Sequence, residues 1–512
     1  MFPSAENVSA EQAAKNLLQL AECIKVTAET CARQGECFDQ AERAVRDSVL
    51  QMGYQAMQLF VALQGDGDLG SEVQTESEKT WRRSEETSSS VIRSIFGEHT
   101  FNQYTYSAGK NKPIALRPIS ARMSLPTHRW SHLLQEFSQM FCVDQAFGQA
   151  ATNLGEVLGS RFSVDTIETI NQQLGKAANE FLDDLPEPDP GSEAKLLVAS
   201  ADGKGVPLIK RDAAKLAAFE TAKKKPGNRK IATVASVYTV DPHVRTAEDV
   251  AAALFRDETD SKPDEKNKRP RPQNKNTTAH FLMTEDDGTG NSVLISGIHV
   301  AMAWMIGQTT QRRRAGQVLV VLMDGQESLW NTFELHLSFS QRTVGVLDIL
   351  HALAYVWEAA ALFCSTEDER KAFTRVRLLR ILRGEVLGVV RGLRQMGTTR
   401  GLKGQPRKEL NRICGYLEKN ASRMRYDEYL RRGYPIASGV IEGACRHLVK
   451  DRMERSGMRW TLEGARNMLN VRAAFQSDHW RSFLDDHITQ ETKKTHPHRN
   501  LLAEYIPLTL AC

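Results

Sequence analysis

The chain has 512 residues, of which 41% are hydrophobic and 25% charged, with a net charge of +4 and eight cysteines; that length allows two to four domains and at least one sizeable core. No apolar run reaches the ~20 residues that span a bilayer, the opening MFPSAENVSAEQ lacks a basic-then-apolar leader pattern, and no C-x-x-C occurs. These features argue against a membrane span, a secreted disulfide scaffold and a zinc ribbon, and a cytoplasmic protein is expected.

From the N-terminus, Leu17, Ile24, Cys31, Phe38, Val45, Met52 and Leu59 recur every seven residues across 11–63. That is the spacing of a helical seam, and Gly35 predicts a break into two helices. Residues 1–73 are therefore expected to be helical, either as a self-association element or as a helix pair packed on its own domain. Gln74–Ser90 is polar and reads as a linker, whereas Val91–Ser107 alternates around Gly97 and Glu98 and predicts a hairpin within 74–126. Residues 127–184 return to helix in three pieces, Trp130–Phe141, Asp144–Leu158 and Val164–Leu174, the last opened by Ser163 as N-cap. A helix, a glycine-containing turn and a second helix is the helix-turn-helix layout of DNA-binding domains. Val164–Leu174 has no Lys or Arg, so plain three-helix packing fits the pattern equally.

The run LPEPDPG at 185–191 is a linker, because its prolines suit neither a helix interior nor a sheet. After it, Ala194–Ala201 predicts a buried strand ending at Asp202 and Gly203, and Lys230–Val240 a second strand. Residues 251–275 read as a charged loop with a basic RPRPQNK end. Thr278–Met283 predicts a third strand, Ser292–Arg314 a helix, and Gly316–Met323 a strongly apolar strand ending at Asp324 and Gly325. A short helix over Leu329–Leu337, a strand over Thr343–Leu347 and a helix over Leu350–Cys364 complete an α/β domain with a mixed sheet. Glu367–Arg432 reads as helical and carries 18 Lys/Arg against 8 Asp/Glu, which makes it a candidate polyanion surface. Tyr434–Trp460 then runs as a basic helix with one early acid, Glu442.

Asp202 and Asp324 each close an apolar strand ahead of a glycine, which taken singly is a turn signal. Two such carboxylates in one sheet, joined by a third from a later helix, can converge on two divalent cations of the kind that serve in-line phosphoryl transfer. Acid ligands suit hard Mg²⁺. Glu442 is the foremost third ligand, with Glu327 and Glu358 as alternatives. Asp348 and His351, three apart at a helix start, read either as a capping pair or as support for that site. Arg446, Lys450, Arg452, Arg455 and Arg459 read either as a solvated face, with Glu442 and Arg446 an i,i+4 pair, or as a grip on backbone phosphate, together with Lys204. Trp330, Trp357 and Trp460 read as core.

Several stretches carry a resemblance. SADGKGVP at Ser200–Pro207, VYTVDPHVRT at Val237–Thr246, RPRPQNK at Arg269–Lys275, MDGQESLW at Met323–Trp330, LDILHALAYVWEAA at Leu347–Ala360 and the whole of YPIASGVIEGACRHLVKDRMERSGMRW resemble the Kra-four family of bacterial insertion-sequence transposases. The catalytic domain of that family is similar to that of the Mutator-like DDE transposases. The resemblance spans roughly 92–480. It implies a ribonuclease H-like mixed five-stranded sheet with helices on both faces, over 195–364 and 433–480, interrupted by an all-helical insertion over 365–432 and followed by a tail over 481–512. It puts the catalytic triad on Asp202, Asp324 and Glu442, with Asp348 and His351 as the acid-x-x-His motif. It further implies two Mg²⁺ ions with Mn²⁺ as a substitute, double-stranded DNA as partner, and a homodimer or higher oligomer in the synaptic complex. A nuclease or resolvase without strand joining, and a catalytically silent DNA-binding protein, are the alternatives. Where many relatives carry a cysteine-rich knuckle after the hairpin, this chain has AGKNKP at Ala108–Pro113, so no zinc is expected there.

Overall fold

A computed structural model describes residues 8–75, 79–217, 227–256, 269–286, 292–336, 342–455 and 457–510. The chain forms two compact units, one from Met1–Ala178 with Trp480–Cys512, the other from Asn179–His479. Among the described residues no helix is long and apolar enough to cross a membrane.

The first unit opens with two helices, Ala10–Gln34 and Phe38–Ala62, broken at Gly35 as its sequence predicts. Gly35 takes φ 67°, and its N–H and that of Glu36 return to Ala32 and Cys31, a left-handed cap that suits glycine. The hairpin is Ser88–Ser94 against Gly97–Gln103. Gln74–Ser90 is not a linker. Strands Glu72–Gln74 and Thr80–Arg83 enter it and form a four-stranded sheet with Tyr106–Ser107 and Ile114–Leu116. The polar composition hides one anchor, the buried Trp81, which packs with Tyr106 and Leu116. Three helices follow, His132–Cys142, Phe147–Leu158 and Val164–Asp183, and Ser163 caps the last through the Thr166 N–H (3.1 Å). Residues 481–512 are more than a tail, since helix Trp480–Thr495 belongs to this unit.

The second unit is built on five strands, β1 (Leu196–Pro207), β2 (Arg229–Val240), β3 (Gln273–His280), β4 (Val318–Met323) and β5 (Thr343–Leu347), in the order β5-β4-β1-β2-β3. β1, β2 and β3 are antiparallel neighbours, while β4 and β5 run parallel to β1. Apolar residues are buried at successive positions along β1 and β4, as strands covered on both faces require. On one face, Val198, Val320 and Leu322 share a continuous buried core with helix Ala247–Phe255, with helix α1 (Ile349–Ala361), and with Leu382, Val390 and Ile413 of the insertion. Helix Gly297–Arg312 is fixed to the start of β1 by a buried bidentate pair, Arg312 to Glu193 (2.9 and 3.2 Å).

Several boundaries differ from the sequence reading. β1 does not stop at Asp202 but continues through Gly203, Lys204 and Gly205, because β2 pairs with it residue for residue from Leu196 to Pro207. The partner strand, not local propensity, holds those glycines extended. The third strand begins at Gln273, five residues earlier than expected. Ser292–Ile295 is a strand rather than a first helical turn, since Ser296 caps the helix that follows by accepting the His299 N–H. The expected loop at 251–275 begins as the end of helix Ala247–Phe255 and ends in β3, and the short helix expected over Leu329–Leu337 is described as Glu327–His336; residues 257–268 and 337 lie outside the described residues.

The insertion is helical throughout its main elements, Glu367–Leu382, Val386–Thr399, Gly404–Lys419 and Tyr426–Arg431. Its last helix closes the sheet edge. Tyr429 and Tyr426 hydroxyls donate to the β5 carbonyls of Gly345 (3.0 Å) and Leu347 (2.8 Å), satisfying edge groups without another strand. The VYTVDPHVRT stretch receives the returning chain: the His243 N–H bonds to the Gly433 carbonyl and Arg245 to that of Tyr434.

Candidate metal centre

Three adjacent strands bring an aspartate to one level of the sheet. β4 pairs Val321 with Ala199, and the same offset sets Asp324 level with Asp202. β5 pairs Met323 with Leu347, which sets Asp348 level with Asp324; the Asp348 N–H donates to the Met323 carbonyl (2.9 Å). Parallel strands in register thus align acids that are far apart in sequence.

Each acid is held differently. Asp202 accepts the Gly203 N–H (2.6 Å), and its Oδ2 lies 3.5 Å from the Cys445 thiol. Burial, and then the Asp202 charge, push that thiol well above its ordinary range, so Cys445 is a neutral donor rather than a thiolate. Asp324 accepts the Gln326 N–H (2.9 Å), and the Trp330 indole N–H donates to its backbone carbonyl (2.6 Å). Burial raises the Asp324 carboxyl, the Asp202 and Asp348 charges add to the effect, and the Gln326 bond and His351 oppose it. Tyr416, from the insertion, closes over this turn. A Cβ on Gly325 would overlap its ring, which in turn stacks on Tyr355 at 3.7 Å.

Asp348 is fully buried and caps α1 through the Leu350 N–H (3.2 Å). It also accepts the Ser438 N–H (3.0 Å) and pairs with His351 Nδ1 (2.7 Å). Burial alone would raise its carboxyl; the bonds from His351 and Ser438 outweigh burial and hold it below the ordinary value. His351 moves up, chiefly through its bond to Asp348. Asp348 is thus the expected cap, and both residues lie close enough to Asp324 to act on its charge.

Glu442 stands on the short helix α2 (Gly439–Ala444). The Ser438 hydroxyl lies 2.9 Å from Glu442 Oε1 and 2.8 Å from Asp348 Oδ2. One hydroxyl proton serves two carboxylates, and ligand atoms of Asp348, His351 and Glu442 fall within 4.8 Å of one another. Two carboxylates and an imidazole this close together, beside the raised Asp324, form a group that could hold a cation. The alternatives to Glu442 are engaged elsewhere: Glu327 pairs with Lys419 (2.6 Å) and Glu358 with Arg412.

The basic set divides. Arg446, Lys450, Arg455 and Arg459 are exposed and Lys204 is half-buried. Arg446 faces Asp451 at 3.8 Å rather than Glu442. Arg452 corrects the expected phosphate grip. It is fully buried, with its guanidinium 4.8 Å over the Trp460 ring and bonded to Met458. It follows a π-helical turn over Cys445–Lys450, and such a turn shifts later residues off an α-helical wheel. Trp330 and Trp460 are buried, as core residues should be. Ser438, Cys445 and Tyr416 were missed; only Ser438 had a visible signal, its place just before a helix that starts with glycine. No protein-family model matches the sequence, and no curated protein matches it.

Proposed function

We propose that the chain is a DDE transposase, similar to the Kra-four family, whose second unit is a ribonuclease H-like catalytic domain. It binds the terminal inverted repeats of its element, hydrolyses the 3′ strands and joins them to target DNA by transesterification. The observation that carries this reading is the convergence of Asp202, Asp324 and Asp348 at one sheet level with Glu442, which returns after a helical insertion. The five-stranded sheet, three strands antiparallel and two parallel to the first, supports the fold.

Asp202, Asp324 and Glu442 would hold two Mg²⁺ ions, or Mn²⁺, which when bound stabilise charge on the attacking and leaving oxygens of a phosphodiester. Asp348 fixes the His351 ring, and His351, half exposed, presents its second nitrogen toward substrate phosphate. Lys204, Arg446, Lys450, Arg455 and Arg459 supply the salt-sensitive grip on DNA. The helix-turn-helix-like segment reads the ends, and the N-terminal helix pair serves assembly of a dimer or larger complex.

The test uses purified full-length chain, Mg²⁺ and DNA from the flanks of its own gene. Nicks that expose 3′-hydroxyls at inverted repeats, and joining of pre-cleaved ends to a plasmid, are the expected products. Cleavage without joining makes the chain a nuclease; neither activity overturns the reading.

Metal affinity should also depend on pH. Asp324 binds its proton at higher pH than a free carboxyl, whose value is about 3.9, and His351 is shifted up likewise. Protons therefore compete with the cation, and the Mn²⁺ dissociation constant should rise as pH falls from 8 to about 5. Electron paramagnetic resonance titration checks it; in Asp324→Asn the acid limb should flatten, and an unchanged limb would assign the protons elsewhere.

A further inference from the structure

A second cluster lies wholly within the first unit. His132 opens helix His132–Cys142, and His487 and Glu491 stand one turn apart on helix Trp480–Thr495. Glu491 Oε1 accepts the Thr127 N–H (3.0 Å), which leaves Oε2 facing both imidazoles. That oxygen lies 3.8 Å from His132 Nδ1 and 3.4 Å from His487 Nε2. Hydrogen bonds of this kind fall at about 2.7–3.2 Å, so neither separation is one. Both His132 nitrogens, His487 Nε2 and Glu491 Oε2 are buried without a hydrogen-bond partner. Four such atoms on three touching side chains are costly unless something else satisfies them.

The separations suit a shared metal. Zinc–nitrogen and zinc–oxygen bonds of about 2.0–2.2 Å in a tetrahedron set ligand atoms roughly 3.3–3.6 Å apart, and all three ligand atoms here lie within 4.8 Å of one another. A cavity of about 250 Å³ lined by His132, Glu136, Leu174, Arg481, Leu484 and His487 borders the cluster, with room for the water that completes a fourth position. We propose that His132, His487 and Glu491 bind a zinc-class transition ion that ties the C-terminal helix to the helical part of the first unit. Two imidazoles and one carboxylate select zinc over Mg²⁺, which prefers all-oxygen octahedral sites.

The test is zinc content of the full-length chain after gel filtration in excess Mg²⁺, with X-ray absorption at the zinc edge. About one equivalent, bound by nitrogen and oxygen near 2.0 Å with no sulfur, is expected. Glu491→Gln and His487→Ala should each weaken zinc binding beyond the roughly 10–100-fold of an outer-shell change, whereas Glu442→Gln should leave it unchanged. No retained zinc, a sulfur-containing shell, or equal zinc in the folded Glu491→Gln variant would overturn the assignment. The wild-type spectrum decides if a variant does not fold.

Discussion

Under the proposed function, Glu442→Gln is expected to lower metal-dependent strand cleavage by at least about 10³-fold, some 4 kcal/mol of transition-state stabilisation, while DNA end binding and melting temperature should stay close to wild type. The carboxylate is exposed and its one intramolecular bond is to the Ser438 hydroxyl. Glutamine keeps the length and an acceptor oxygen for that hydroxyl, so the fold loses little; surface changes of this kind stay within about 0.5 kcal/mol. What is lost is the negative charge beside Asp348 and, under the proposed function, a ligand for the cation. Gel-based cleavage of end DNA in Mg²⁺, paired with a mobility-shift assay, separates the two effects. Glu358→Gln is the control, because Glu358 is tied to Arg412 on the insertion. Wild-type cleavage by Glu442→Gln would remove this residue from the site.

The physical reasons for what the sequence reveals and hides are specific. Strands β1 and β4 announce themselves because burial on both faces demands unbroken apolar runs such as VLVVLM. The alignment of Asp202 with Asp324 is invisible locally, since register there arises from pairing between strands more than 100 residues apart. Asp202 was read as a strand end because Asp-Gly is a turn signal, yet a twelve-residue ladder overrides that preference. A regular basic helix lets Arg452 be a solvated residue or a phosphate ligand, whereas here it follows a π-helical turn and is buried. The basic insertion shows a similar gap between composition and surface. Arg380, Arg383, Arg394, Arg412 and Arg423 each face an acid, so its charge count overstates the free positive field. Exposed pairs of that sort add little stability; their effect here is to dilute the polyanion surface.

Asp348→Ala should be the most destabilising single change at the site, costing on the order of 3 kcal/mol in metal-free protein and lowering the melting temperature by roughly 6–12 °C. The carboxylate is fully buried and meets the Leu350 N–H, the Ser438 N–H and hydroxyl, and His351. Removing it uncaps α1 and strands a buried donor where the chain returns from the insertion. Asp348→Asn separates packing from charge, because an amide oxygen still serves the N–H donors while the attraction to the imidazolium is gone. The sign of the pH dependence follows from the two shifts. His351 is raised, so its contribution is full below about pH 6.5 and is lost as pH rises through the higher folded value; Asp348 is lowered, so its contribution is present above about pH 3.9 and is lost as pH falls. The stability gap between wild type and Asp348→Asn should therefore be widest between about pH 4 and 6.5 and should narrow toward pH 9. Urea unfolding of both proteins in chelator at pH 5.5 and 8.5 measures it. A gap that does not change between those two pH values would mean that His351 and Asp348 share packing but no charge, and that the histidine is oriented by its helix alone.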